Sequence, residues 1–138
     1  MHSVYPVLFY SKATDELNTA DGGIAINALE TGLFFEKLMK SEVIGHASLE
    51  QMTDCFALPD GWWDPKYHTM ESGYGIEKFL TPHGIAYGHT GSIMGFSSVV
   101  QYFPDSDKTF VMIVNSSSYD DATQENIYNS CMEIMFDE

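Results

Sequence analysis

The sequence predicts an α+β fold, an antiparallel sheet flanked by helices, on three observations. Four strand-like runs follow one another from Gly73 onward, separated by turn residues. The last, Thr109 to Asn115, is apolar on both alternating faces, with Phe110, Met112 and Val114 on one and Val111 and Ile113 on the other. A strand of that kind belongs inside a sheet with helices on both sides. Helical periodicity appears before the strands and again after them, near 24–39 and 121–135.

The elements follow in order. Tyr5 to Tyr10 reads as a short strand. Gly22-Gly23 precedes a helix from about Ile24 to Met39, whose Leu29, Leu33 and Leu38 recur at helical spacing. Ser48, with Gln51 three residues later, forms the pattern of a capping box for a helix running to about Phe56. Pro59-Asp60-Gly61 and Asp64-Pro65 frame a loop carrying Trp62 and Trp63. With Tyr67, these aromatic residues either line a ligand cleft or pin the loop to the core. The strands are then Tyr74–Phe79, Ile85–Thr90, Gly95–Phe103 and Thr109–Asn115, with a turn at Asp105-Ser106-Asp107. The closing helix, about Asp121 to Met135, carries Cys131 in an apolar stripe with Ile127, Ile134 and Met135. No repeat, linker or low-complexity segment divides residues 1–138, which read as a single unit.

Composition narrows the function classes. At 138 residues with 44% hydrophobic and 14% aromatic content, the chain can bury a core of its own. No apolar run is long enough for a membrane-spanning helix. Twenty acidic against six basic residues give a net charge of −14, which excludes nucleic acid and anionic membrane as partners, since phosphate binding needs clustered cations. The N-terminus has no basic residue before its short apolar run Val7-Leu8-Phe9-Tyr10 and reads as a poor signal peptide. Localisation is left open. Cys55 and Cys131 fit no metal or redox spacing, and a buried free thiol is the expectation for Cys131. No His-x-His or His-x-x-x-His pair occurs among the five histidines, so neither a metal nor any other cofactor is expected, and His83, after Pro82, reads as solvated. Asn115-Ser116-Ser117 has the form of a glycosylation sequon and reads as a strand end.

The segment Tyr87-Gly88-His89-Thr90-Gly91-Ser92 carries the most information about chemistry. It resembles the third active-site motif, Lys/His-Thr-Gly, of the penicillin-recognising serine hydrolases, the group of the class C β-lactamases and D-alanyl-D-alanine carboxypeptidases. Further pieces resemble the same family in order. They are Thr19-Ala20-Asp21-Gly22-Gly23-Ile24 entering a helix, Ser48-Leu49-Glu50-Gln51-Met52 as a short helix, and Tyr74-Gly75-Ile76-Glu77, where Glu77 replaces the second glycine of a Tyr-Gly-x-Gly strand. Val111-Met112-Ile113-Val114-Asn115 is similar to the family's last strand.

The resemblance implies the C-terminal portion of a β-lactamase/transpeptidase-like fold and a carboxylate-bearing peptide or β-lactam-like ligand. It implies that Thr90 binds the ligand carboxylate through its hydroxyl. His89 stands where lysine is commoner, Gly91 leaves room for the substrate, and the Ser92 N–H forms half of an oxyanion hole. Histidine at the first position looks more like the carboxypeptidases and esterase-like relatives.

The nucleophile motif Ser-x-x-Lys is absent. The residues three before the six lysines are Phe9, Phe34, Lys37, Trp63, Gly75 and Asp105. No Tyr-x-Asn, Ser-x-Asn or Gly-x-Ser-x-Gly occurs either. The expectation is a hydrolase fragment inactive alone, with a non-catalytic module that aligns a peptide-like ligand on a strand edge as the alternative. In the family a further, N-terminal strand flanks the one matching Thr109–Asn115. Without it the edge Phe110–Val114 is open, and a dimer, the chain's own Val4–Tyr10 or a missing N-terminal segment is expected to cover it.

Overall fold

A computed structural model describes residues 24–59, 65–93, 96–115 and 121–137. Helices α1 (Ala28–Met39) and α2 (His46–Met52) lead into strands β1 (Phe56–Ala57), β2 (Thr69–Ser72), β3 (Glu77–Thr81), β4 (Gly84–Ile93), β5 (Phe96–Phe103) and β6 (Lys108–Val114). Helix α3 (Asp121–Phe136) ends the chain. All six strands form one antiparallel sheet in sequence order, β1 to β6. This is the α+β arrangement that the strand run and flanking helices predicted. The expected strand Tyr5–Tyr10 and the tryptophans at 62 and 63 lie outside the described residues.

Helix α1 starts later than its periodicity suggested. The Asn27 side chain accepts from the Glu30 N–H at 2.9 Å while its amide donates to the Glu30 carboxylate at 2.9 Å, a reciprocal cap that sets the first turn. The residues before it, Ile24 to Ile26, are exposed and non-helical. Only Leu38 of the leucine stripe is buried, because α1 rests on β6 through Gly32, next to the side chains of Val111 and Thr109. Leu29 and Leu33 remain exposed.

The capping box at Ser48 is overturned. Gly45 is the N-cap of α2, and Ser48 lies inside the helix with its N–H donating to the Gly45 carbonyl at 3.0 Å. The helix stops at Met52 because the Thr53 hydroxyl donates back to the Leu49 carbonyl and the chain then enters β1, where Phe56 pairs with Ser72.

The expected strand at Tyr74 is also corrected. Residues 73–76 form the turn between β2 and β3, closed by the Gly73 N–H on the Ile76 carbonyl at 2.7 Å, with Gly75 at φ +67°. Tyr74 stands exposed at its tip. Glu71 and Lys78, paired across β2 and β3, form a 2.7 Å ion pair that raises the Lys78 pKa.

One face of the sheet carries the core. Phe79, Ala86, Val99, Phe103 and Phe110 pack under Tyr67, Tyr128 and Met132. The rings of Tyr67 and Phe110 both meet Tyr128 edge-on, at 5.2 and 5.5 Å between centroids. The buried stripe of α3 is therefore Gln124, Tyr128 and Met132, with Cys131 and Met135 half-buried beside it. Ile127 and Ile134 face outward instead, because the large Tyr128 ring fixes the rotation of the helix. Cys55 and Cys131 are free thiols, each half-buried. His83 is half-buried and stacks on Phe136 at 4.5 Å rather than lying in solvent.

The opposite face receives α1, so β6 has helices on both faces, as its apolar pattern required. The Lys40 ammonium reaches Asp107 at 2.8 Å and Glu36 at 2.7 Å, joining the end of α1 to the β5–β6 turn. The Lys40 hydrogen bond, followed by one from the Tyr102 hydroxyl, pulls the Asp107 carboxyl below its usual range. Among the described residues β6 pairs only with β5, so its other edge is open.

Gln101 is fully buried on the core face. Its amide donates to the Tyr67 carbonyl at 3.2 Å and its oxygen accepts from the Tyr128 hydroxyl at 2.8 Å. Burial pushes the Tyr128 hydroxyl up to about 12, against the Gln101 hydrogen bond, which lowers it. A folded-state pKa above the unfolded value of about 10 contributes stability that is complete below pH 10 and lost as pH rises towards 12. The expected loss from this group is on the order of 3 kcal/mol. Replacing Tyr128 with Phe should cost about 1–3 kcal/mol at neutral pH, by stranding the Gln101 oxygen, and should flatten the alkaline decline. Denaturant unfolding at pH 7 to 12, wild type against Tyr128→Phe, checks both, and parallel alkaline slopes would refute the assignment.

Candidate functional site

The four residues singled out by sequence, His89, Thr90, Gly91 and Ser92, lie together near the end of β4. Strand β3 reaches only as far as Glu77, which is opposite Gly88. Among the described residues, β4 from His89 to Ile93 pairs with β5 alone, His89 with Val100 through to Ile93 with Phe96. The segment is thus a strand edge open on its β3 side.

Alternation splits the four residues between the two faces of the sheet. Thr90, Gly91 and Ser92 line a polar cavity of about 360 Å³ with Lys66, Tyr67, Ser97 and Gln124. His89 is exposed and does not line it, and its Nδ1 lies against the Thr90 carbonyl. The structure therefore brings three of the four expected residues to one cavity and sets the histidine apart.

The cavity wall comes from two other elements. A 3-10 turn, Pro65–Tyr67, carries Lys66, whose ammonium lies over the Tyr67 ring at 5.2 Å. Tyr67 is 3% exposed, so it both belongs to the core and forms the wall, and its carbonyl is held by Gln101. Helix α3 contributes Gln124, whose side-chain oxygen accepts from the Ser97 hydroxyl at 2.9 Å and the Tyr67 hydroxyl at 3.4 Å. Sequence reasoning missed Lys66, Ser97 and Gln124 as lining residues. The sheet register brings Ser97 opposite Ser92, and helix packing brings Gln124, so only long-range pairing assembles them.

The decisive contact involves Glu77. Its carboxylate accepts the Thr90 backbone N–H at 2.9 Å and the Thr90 hydroxyl at 3.2 Å from both oxygens. The carboxylate thus stands where another residue of β3 would have continued the ladder. The sequence did signal this position, as a glycine replaced by glutamate in an otherwise matching stretch. Among the described residues no group of three or more His, Cys, Asp or Glu could hold a metal ion, and no helix is long and apolar enough to cross a membrane.

Two glycines differ in what they permit. A Cβ at Gly88 would fall 1.8 Å from the Val100 carbonyl oxygen, so only glycine lets β4 approach β5 there. A Cβ at Gly91 would meet the Ser98 hydroxyl at 2.7 Å, and that side chain can rotate away. Gly88→Ala should cost on the order of 3 kcal/mol and Gly91→Ala about 1 kcal/mol. Chemical denaturation of the two variants checks the order, and equal costs would contradict the close approach.

Comparison with known proteins bears on the fold. No family model matches the chain, and no curated protein matches it. Solved structures do match. A D-stereospecific amidohydrolase from a Streptomyces species aligns over 80% of this chain and 30% of its own, at 21% identity and a TM-score of 0.61. The D-amino acid amidase of Ochrobactrum anthropi SV3, complexed with D-phenylalanine, aligns over 80% of this chain and 37% of its own, at 18% identity and a TM-score of 0.66. The chain thus spans about a third of the length of each of these proteins. Both have the β-lactamase/transpeptidase-like fold. Identities this low establish shared architecture and nothing finer, so the chain has part of a β-lactamase/transpeptidase-like fold.

Proposed function

We propose that the chain is the substrate-binding, C-terminal part of a serine hydrolase of the β-lactamase and DD-peptidase type, and that it is inactive alone. The observation that carries this reading is the open edge His89–Ile93 beside a polar cavity, in a sheet of that fold. A strand edge aligns a peptide-like ligand through its free N–H and C=O groups. Along an antiparallel strand these groups point alternately to the two sides. The Thr90 N–H faces the β3 side, where Glu77 accepts it, so the Ser92 N–H, two residues on, is directed to the same open side. There it can donate to the oxygen of a carbonyl under attack, one of the two donors an oxyanion hole needs.

The second donor and the attacking hydroxyl belong with a Ser-x-x-Lys segment, which this sequence does not contain. The surface opposite the core is suited to that missing part. Ile24, Ile26, Phe96 and Ile113 are exposed and line a cavity of about 420 Å³ between the start of α1 and the sheet. The open edge of β6 adjoins it. The alternative, a non-catalytic module that aligns a peptide-like ligand on the same edge, rests on Glu77 already occupying the Thr90 hydroxyl.

The purified chain should show no nitrocefin or D-aminoacyl amide turnover, because covalent catalysis needs the activated hydroxyl. Adding a Ser-x-x-Lys-bearing N-terminal segment, in cis or as a second chain, should give turnover, which Thr90→Val lowers at least tenfold. Turnover by the chain alone, abolished by a single serine substitution, would overturn the fragment reading. Binding without turnover after complementation would favour the module.

The open β6 edge gives a separate expectation. Phe110 to Val114 contains no proline or charge, and its neighbouring basic residue is Lys108. The isolated chain should therefore form a defined dimer through this edge, the net charge of −14 opposing precipitation. Light scattering reads the state. A monomer with rapid amide exchange along Phe110–Val114 would sink the idea.

A further inference from the structure

We infer that this site takes a ligand with a free ammonium group beside Thr90, not a carboxylate, and that Glu77 is the residue that selects it. The inference rests on the reading of the His89–Ser92 edge as the ligand-binding strand, and it changes what that edge recognises.

A threonine at this place could bind an anionic ligand only through donors that are available. Here Glu77 accepts both the Thr90 N–H and the Thr90 hydroxyl, at 2.9 and 3.2 Å. A ligand carboxylate at Thr90 would have to displace those bonds and lie next to a carboxylate of the same sign. Like charges at hydrogen-bond spacing disfavour each other's ionised forms strongly. An ammonium group meets neither obstacle. It donates to the outer lone pairs of Glu77, leaves the Thr90 bonds in place and forms a charge-assisted hydrogen bond.

The position of Glu77 adds to this. It is the first residue of β3, opposite Gly88, so its side chain projects at the point where β3 ends and the open edge begins. Its neighbour across the edge, Gly88, has no side chain to cover it. The half-buried carboxylate is therefore anchored by β4 yet reachable from the edge. The charged residue that lines the cavity itself, Lys66, sits over the Tyr67 ring on the opposing wall element and is engaged by other groups of the structure. The negative charge of Glu77 thus stands behind Thr90 on the strand side of the cavity, and the positive charge of Lys66 on its turn side. A ligand aligned along β4 with its ammonium at Glu77 places the next carbonyl towards Ser92. The substrate class is an aminoacyl amide or ester with an unblocked α-amine, one residue long at its N-terminal side.

A matched pair of probes tests this on the unmodified chain. D-Phenylalaninamide carries the ammonium and no carboxylate, and N-acetyl-D-phenylalanine carries the carboxylate and no ammonium. NMR titration of the Thr90 and Ser92 amides should give at least tenfold tighter binding of D-phenylalaninamide. Glu77→Gln, which keeps an acceptor for Thr90, should reduce that preference to within about twofold. Equal or reversed preference in the wild type would overturn the ammonium assignment while leaving the edge as a binding site. A preference unchanged in Glu77→Gln would remove Glu77 from the selection. No response of Thr90 or Ser92 to either probe would overturn the inference together with the site reading on which it rests.

Discussion

A buried amide holds this molecule together around its candidate site. Gln101 lies in the middle of β5 with no exposure, and an unpaired amide there would cost several kcal/mol in lost hydration, on the order of 2–7 by transfer measurements. Its two hydrogen bonds therefore constrain their partners strongly. One goes to the backbone of the 3-10 turn at Tyr67 and the other comes from Tyr128 on α3. Across β4 its strand partner is Gly88, where the close approach of the two strands excludes any side chain. The turn, the helix and the strand that together surround the candidate cavity are all positioned by this one residue. Gln124, one helical turn before Tyr128, reaches Ser97 and Tyr67 as a consequence of the same docking.

The strands were legible because their chemistry is local. Turn residues separate them, and β6 shows its two buried faces directly in the alternation of Phe110 to Val114. Where sequence reading failed, spacing and apolar pattern alone did not decide the outcome. Ser48 has the right spacing for a cap, yet Gly45 takes the position and α2 starts three residues earlier than the pattern implied. The buried stripe of α3 runs through a glutamine and a tyrosine because their partners, Ser97 and Gln101, are polar. A hydrophobic pattern cannot report such a stripe. The strands β1 and β2 were missed because they are two and four residues long, and their pairing depends on the turn at Gly75.

The site was legible in part for the same reason. Thr90, Gly91 and Ser92 could be named from a short motif, since they follow one another on one strand. The separation of His89 onto the other face follows from the strand period and was also within reach of sequence. The contribution of Lys66 and Gln124 was not, because each comes from an element placed by packing. Glu77 lies between these cases. Its departure from glycine could be seen, whereas its hold on Thr90 needed the register of β3 against β4.

The surface opposite the core and the Glu77 contact both follow from how strands end. A strand that outruns its neighbour must find partners for its backbone groups, and unpaired ones invite another chain. On β4 a carboxylate supplies the first of those partners, which keeps the edge polar and leaves Ser92 accessible beyond it. On β6 no further strand does so among the described residues, and the neighbouring surface of Ile24, Ile26, Phe96 and Ile113 is apolar. The two edges are therefore suited to different partners. The polar one can bind and release a small ligand, since little apolar area is committed there. The apolar one favours a lasting contact, because burying such side chains gains roughly 25 cal/mol per Å². Two edges of such different chemistry are what the proposed reading requires, with ligand alignment on one and completion of a domain on the other.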